Sequence, residues 1–433
     1  MLGLQRMRES LGLRLVIIAV MSLILLIPAQ MIRSLIRERQ ERRNEAMKEI
    51  SQKWGESQTI TGPILTIPSK KYSKVNYIHY LPEKLTISGS INPEIRYRGL
   101  YEVVLYNAQL QIEGKFSHPE IENLNISPES VLWDDAFVAI GISDMKGIKD
   151  LIKIKWNQED YDANPGIVTS DVLLSGISAK VTLDSIEGEY EFSTTLNFNG
   201  SSNLLFTPVG KTTQVDITSN WPNPSFTGNY LPETRDISPD GFRAKWKILY
   251  LNRNYPQQWI GSQYKPTASS FGINLYLPVD EYQKTMRTVK YAIMFISLTF
   301  LSFFLIELLN KKTLHPIQYL LIGFGLLVFY TLLLSISEHI PFKYAYLIAS
   351  LGIILLIAAY TKGVLKSNLH AGIIGGILLL LYGFLYIILQ LEEFALLMGS
   401  IGLFIILAVL MYITRNIDWF SIMVPEKNDE LGN

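Results

Sequence analysis

Hydropathy divides this chain into two unequal regimes. Residues 291–413 are almost continuously apolar, and a shorter apolar run, Leu15–Ile32, lies near the start. Between them, residues 33–290 mix polar and apolar positions as a water-exposed domain does. A helix crossing about 30 Å of hydrocarbon needs roughly 20 mostly apolar residues. Six stretches meet or approach that length: Leu15–Ile32, Tyr291–Leu309, Ile317–Ile336, Tyr344–Tyr360, Ala371–Leu389 and Phe394–Ile413. The first has Arg6, Arg8 and Arg14 ahead of it, as a secretory signal does. Pro28-Ala29-Gln30 lacks a small-x-small cleavage pattern, however, so the segment is expected to stay as an anchor.

The intervening segment changes period along its length. Arg33–Trp54 reads as a helix continuing from the anchor, with Arg37/Glu41 and Glu38/Arg42 attracting at i,i+4 and Glu45/Glu49 repelling. It is expected to be a charged stalk that docks on its own domain, with a partner-binding helix as the alternative. From Thr59 the pattern alternates in short β-branched and aromatic runs, notably Thr59–Pro68, Tyr101–Ile112, Tyr190–Phe198 and Thr212–Thr218, punctuated by Gly, Pro, Asn and Asp. That predicts many antiparallel strands in a sandwich-like arrangement. Asp144 is placed to cap a turn or short helix at Met145–Gly147. The fold class is therefore a six-helix membrane protein with a large mostly-β extracytoplasmic domain between helices one and two. Its segments are residues 1–14, the anchor 15–32, the charged helix 33–56, the β-rich domain 57–290, the bundle 291–413 and the tail 414–433.

Charge adds orientation. Arg6, Arg8 and Arg14, Lys311 and Lys312, Lys362 and Lys366, and Arg415 and Lys427 fall on one face if all six segments cross. Short loops rich in Lys and Arg stay cytoplasmic. Both termini are thus expected in the cytoplasm and residues 33–290 outside, with Trp419 and Phe420 in the interfacial belt. Lys plus Arg and Asp plus Glu are 39 each, so there is no basic field for nucleic acid. The absence of cysteine excludes disulfides, thiol nucleophiles and thiolate metal sites.

Candidate chemistry is sparse. No metalloprotease, serine-hydrolase, P-loop or dinucleotide motif occurs, and His79 and His118 lack metal-ligand spacing. Asp134 and Asp135, read as strand neighbours, would point to opposite faces. No catalytic residue, metal or cofactor is assigned, and the reading leans away from an enzyme. Polar groups in or beside the membrane carry more information, because they are expensive there. An inner-face group comprises Glu307, His315 and Gln318, with Glu307 expected to snorkel toward Lys311 and Lys312. An outer-face cluster comprises Glu338, His339, Glu392 and Glu393 with Arg287 and Lys290, which read either as solvated loop charges or as acidic loops docking on the basic joint that precedes helix two. The Gly372, Gly375, Gly376 cluster is expected to allow close helix packing.

An ordered series of landmarks resembles the CreD family of bacterial inner-membrane proteins. It begins with Ile36-Arg37-Glu38-Arg39, Gly62-Pro63-Ile64-Leu65 and Ile67-Pro68, and continues through Pro224-Ser225-Phe226, Leu231-Pro232 and Gly241–Trp246. The densest part runs from Pro278-Val279-Asp280 through Lys290-Tyr291-Ala292, Glu307 and His315–Leu320 to Ser337-Glu338-His339, then Leu381–Tyr386, Leu391-Glu392 and Asp418-Trp419. The resemblance implies a periplasmic location for the outer domain, membership of a two-component envelope-stress regulon, and altered tolerance of colicins and β-lactams. No biochemical activity is established for the family, so it brings no catalytic residues. The expected role is a non-enzymatic protein that maintains or senses envelope integrity, with the lipid bilayer and other envelope proteins as partners. The alternative is a permease or lipid-handling protein.

Overall fold

A computed structural model of the chain describes residues 11–71, 74–117, 119, 124, 126–183, 188–275, 281–310, 314–391 and 394–415. The chain divides into two compact units, Arg43–Pro278, and Met1–Arg42 with Val279–Asn433. The expected fold class holds: a mostly-β domain lies in sequence between the N-terminal helix and the remaining helices.

In the β unit, the strands are β1 (Gln58–Lys71), β2 (Lys74–Tyr80), β3 (Lys84–Arg98), β4 (Tyr101–Phe116), β5 (Phe137–Ile142) and β6 (Lys153–Trp156). Next come β7 (Glu159–Asp162), β8 (Asn164–Pro165), β9 (Gly176–Lys180), β10 (Tyr190–Ser201), β11 (Asn203–Phe206) and β12 (Thr212–Ser219). The last are β13 (Pro224–Gly228), β14 (Thr234–Ser238), β15 (Gly241–Leu249), β16 (Gln258–Ile260) and β17 (Phe271–Leu275). One sheet runs β13-β17-β11-β1-β5-β9-β8, with β2 and β16 added beside β1; the other runs β14-β15-β12-β3-β4-β10-β6-β7. Most pairings are antiparallel, but β1 pairs with β11, and β3 with β12, in parallel. The order of strands could not be read from the sequence, because pairing partners lie far apart along it.

The two sheets share one core, as expected of strands that alternate. On β10, Tyr190, Phe192, Thr194, Leu196 and Phe198 turn inward; on β15, Phe242, Ala244, Trp246 and Ile248 do. Rings meet across the sandwich, with Trp246 of one sheet 5.6 Å from Phe271 of the other. The bulge between Thr61 and Ile64 on β1 coincides with Pro63, which has no N–H to give to a neighbouring strand. Asp144 caps Met145–Gly147 through the Lys146 amide, as the sequence predicts. Asp134 and Asp135 do not lie on a strand: Trp133–Asp135 is a 3-10 turn, and Asp135 pairs with Lys180 at 2.9 Å.

The helices are α1 (Leu11–Ile24), α2 (Leu26–Trp54), α3 (Glu281–Lys290), α4 (Ala292–Asn310), α5 (Pro316–Ser337), α6 (Phe342–Leu365), α7 (Asn368–Gln390) and α8 (Ala395–Thr414). α1 and α2 continue one another with a turn at Leu25, and α2 passes from one unit to the other at Arg42. The last turns of α2 do dock on the β unit. Glu49 pairs with Arg98 at 2.6 Å, and Trp54 donates to the Tyr106 carbonyl at 3.4 Å. Glu49 also takes Lys53 at 3.0 Å, so cations offset its repulsion with Glu45. Its carboxyl is held below the ordinary range, chiefly by the Lys53 hydrogen bond.

Among the described residues, five helices are long and apolar enough to cross a membrane, the continuous α1–α2 stretch counting as one. A sixth span arises if α3 and α4, bent by 45° at Tyr291, act as one. Rings fill the bundle core: Phe329 lies 4.7 Å from Tyr382 and 5.5 Å from Tyr346, and Phe295 lies 5.2 Å from Tyr382. Tyr346 donates to the Tyr382 carbonyl at 2.7 Å, so its hydroxyl is satisfied inside the apolar core. The glycine expectation needs correcting. Gly372 and Gly376 face open space and Gly375 approaches only Ala358, whereas Gly402 and, most tightly, Gly323 are close-packed. A Cβ there would lie 2.1 Å from Leu25 Cδ1, because the anchor helix leans on α5 at that point.

Phe198, fully buried on β10, sets the scale of the sandwich core. Phe198→Ala is expected to lower the unfolding free energy by about 3–5 kcal/mol, from lost burial and the cavity left behind. Denaturant unfolding of the detergent-purified full chain, followed by tryptophan fluorescence, measures it; a loss near zero would refute the core assignment.

Candidate functional site

At one end of the bundle, around Glu338, polar residues from three helices meet. α3 is amphipathic and carries Arg287 and Lys290 in its last turn, where cations complement the helix dipole. Glu338 ends α5 as its C-cap. It accepts a hydrogen bond from the buried Tyr282 hydroxyl of α3 at 3.1 Å and pairs with Arg39 of α2 at 3.9 Å. Its side chain is only 11% exposed, while that of Arg39 is 40% exposed. The magnitudes rank the two contacts. A half-exposed ion pair at that distance contributes about 0–1 kcal/mol. A hydrogen bond from a buried hydroxyl to a carboxylate contributes about 1.5–3 kcal/mol. Tyr282 is thus the main anchor and Arg39 the adjustable one.

A second contact joins the same two segments. Arg33 of α2 donates to the Val289 carbonyl at 3.4 Å, next to the bend between α3 and α4, where carbonyls lack helical partners. Arg39, Tyr282 and Glu338 with Arg33 and Val289 make a polar clasp fastening α2 to α3 and α5. Sequence reasoning selected Glu338 but missed Arg33, Arg39 and Tyr282. The arginines read as a solvated stalk, and nothing about Tyr282 marks its hydroxyl as a partner. His339 lies beside the clasp with a different role, its Nδ1 3.1 Å from the Ser335 carbonyl of its own helix. Lys290 is exposed. Glu392 and Glu393 lie outside the described residues.

At the other end of the bundle, His315 is the N-cap of α5. Its ring nitrogen accepts from the Ile317 amide at 3.3 Å, and Gln318 reaches back to the His315 amide at 2.8 Å. Pro316 takes the first helical position, where its missing N–H costs nothing. Glu307 is 6% exposed and accepts from the Leu314 amide. Arg14 of α1 lies within electrostatic reach of it. Lys311 and Lys312 lie outside the described residues. This group closes helix ends, which accounts for its polar atoms without a ligand.

In the β unit, His79 of β2 is 1% exposed and has a partner on each ring nitrogen. Nδ1 lies 3.0 Å from Thr66 Oγ1 and Nε2 lies 3.4 Å from Asp171 Oδ2. Burial pushes the imidazole below its ordinary range against the opposing pull of Asp171, so it is neutral at pH 7. A carboxylate only accepts, so Nε2 carries the proton and Nδ1 accepts from the Thr66 hydroxyl. His118 lies outside the described residues.

Apolar spanning helices, a two-sheet domain inserted after the first of them, and a clasp at the helix ends define a multi-pass α-helical membrane protein with a large β domain. Comparison with known families carries this further. The family model described as Inner membrane protein CreD matches residues 10–420. Inner membrane protein CreD of Escherichia coli (strain K12) is 33% identical over 423 residues, which is 93% of this chain and 92% of that protein. The chain belongs to the CreD family.

Two expectations follow. In a double-mutant cycle of Glu338→Gln and Tyr282→Phe, unfolding of the full chain should show a coupling of at least about 0.5 kcal/mol; additivity would refute the clasp. Second, an unfolded chain protonates His79 at about pH 6.5 while the folded one resists it. The unfolded state then binds more protons, so stability falls as pH drops below about 6.5. Thermal melts of wild type and His79→Gln between pH 7.5 and 5 check the sign: the wild type should lose more.

Proposed function

We propose that this chain is a non-enzymatic inner-membrane protein that maintains or senses cell-envelope integrity by coupling its β unit to its helical bundle. Its N- and C-termini lie in the cytoplasm and residues 33–290 in the periplasm. The positions of Lys and Arg in the short loops support this orientation. The observation that carries the coupling is that Glu338 is gripped from both chain segments that lead to the β unit, through Arg39 on α2 and Tyr282 on α3. Any force on either segment then acts on the end of α5. Arg287, Lys290, His339, Glu392 and Glu393 belong to the same outer-face cluster in this reading. Altered tolerance of colicins and β-lactams, and control by an envelope-stress system, are its expected physiological signs.

Hydroxyls in the bundle favour a scaffold over a polar pathway. Ser302, Thr361 and Thr414 donate to carbonyls one turn back on their own helices, at 2.8, 2.7 and 2.7 Å. They are satisfied locally, as structural hydroxyls in lipid are.

The test is complementation of a deletion strain with wild type, Glu338→Gln, or Tyr282→Phe, with membrane levels matched by blotting. Detergent and bacteriocin tolerance should fall to the level of the deletion with either variant. Full tolerance at equal abundance would remove the clasp from the mechanism.

A further inference from the structure

The solvent face of the first sheet carries a groove that the clasp does not use. Its volume is about 850 Å³, within the range of about 300–1,000 Å³ typical of ligand sites. The floor crosses three adjacent strands, with Thr59 and Thr61 on β1, Gly141 and Ser143 around β5, and Leu205 on β11. Ser170–Ser175 forms one wall; Ser262, Lys265, Thr267 and Ser270 form the other.

The first wall is a compact loop between β8 and β9. The Gly166 amide donates to the Gly176 carbonyl at 2.9 Å and closes its neck. Two contacts fold it down on the sheet. Asp171 reaches the buried His79, and Leu173 packs over Gly141 and Thr61 so closely that a Cβ on Gly141 would lie 2.7 Å from Leu173 Cδ2. The loop is therefore held in place while Leu174, 91% exposed, stands free at its crest. Leu174 thus lines the groove from its rim. Below the opposite wall, Thr61, Thr207 and Ser270 form a hydroxyl chain at 2.7 and 3.0 Å, which fixes the floor.

The lining selects among ligand classes. Hydroxyls on the floor and both walls both donate and accept, which suits peptide amides. Ile142, Val172, Leu173, Leu174 and Leu205 offer aliphatic contact for apolar side chains, with the hydroxyls set among them. No aromatic ring is among the lining residues, so there is no stacking platform for a sugar ring or a base. One acid, Asp171, and one cation, Lys265, stand on opposite walls, which disfavours a polyanion. We propose that this groove binds a short peptide with free termini, its carboxylate meeting Lys265 and its ammonium meeting Asp171. His79 is a positioning residue in this site: it holds one oxygen of Asp171 and leaves the other to the ligand. The proposal needs only the β unit's own geometry and stands whether or not the clasp transmits force.

Titration calorimetry on the detergent-purified full chain tests it, with the tri- to hexapeptides of the series Ala-Leu-Ala-Ala-Leu-Ala as probes, each as free, N-acetylated and C-amidated forms. Free peptide should bind saturably, and amidation should weaken it about tenfold, the loss of one charge-assisted contact. The exposed Lys265→Ala should weaken the free form similarly and abolish the amidation effect. Asp171→Asn should do the same for acetylation, with melting curves showing that each variant is folded. No binding by any peptide, equal binding of all three forms, or binding of chitotetraose in place of peptide would overturn the proposal. Because the readout is binding, a failed complementation with the clasp variants leaves it unaffected.

Discussion

Inside a bilayer each helix satisfies its own backbone, so polar attachment between chain segments concentrates at helix ends. Glu338 occupies such an end. Its carboxylate is too enclosed to rely on water and is satisfied instead by the Tyr282 hydroxyl and the Arg39 guanidinium. Removing the Tyr282 hydroxyl leaves a largely enclosed charge short of a donor, and the weaker Arg39 contact adds a third stretch of chain to the same arrangement. The bend at Tyr291 fits the same frame, since Arg33 supplies a donor to a carbonyl beside the interrupted helix.

The β unit meets a different constraint. Lacking cysteine, it must bury enough apolar surface between its sheets to order its own loops. It does so with two large sheets and a core of rings that touch across the gap. Loops pinned to the outer side of a stable sandwich can hold exposed side chains at fixed positions, the usual arrangement for a binding surface. The Asp171–His79 bond is one such pin. It satisfies Nε2 of a neutral buried imidazole whose Nδ1 is already paired with Thr66.

Placement in the CreD family agrees with the landmarks along the sequence, from the arginine-rich start of the stalk to the aromatic words of the later helices. The helix ends show how unevenly local signals report. His315, Pro316 and Gln318 are adjacent and form a capping motif that sequence order itself dictates. Glu307 was visible as a costly residue, yet its burial depends on how α4 meets neighbouring helices. The glycine-rich start of α7 looked like a packing face and is not one, whereas Gly323 is, because the position of Leu25 decides it.

By itself the sequence determined the spans, the insertion of a strand-rich domain after the first helix, the helical stalk, and the cap at Asp144. Each depends on periodicity or on residues within a few positions of one another. Tertiary structure alone decided the strand order, the partners of Glu338 and the environment of His79. Tyr282 and Glu338 are 56 residues apart, Asp171 and His79 are 92 apart, and Arg33 and Val289 are 256 apart. No local pattern encodes such pairs, because each exists only once hydrophobic burial has fixed the elements that carry it.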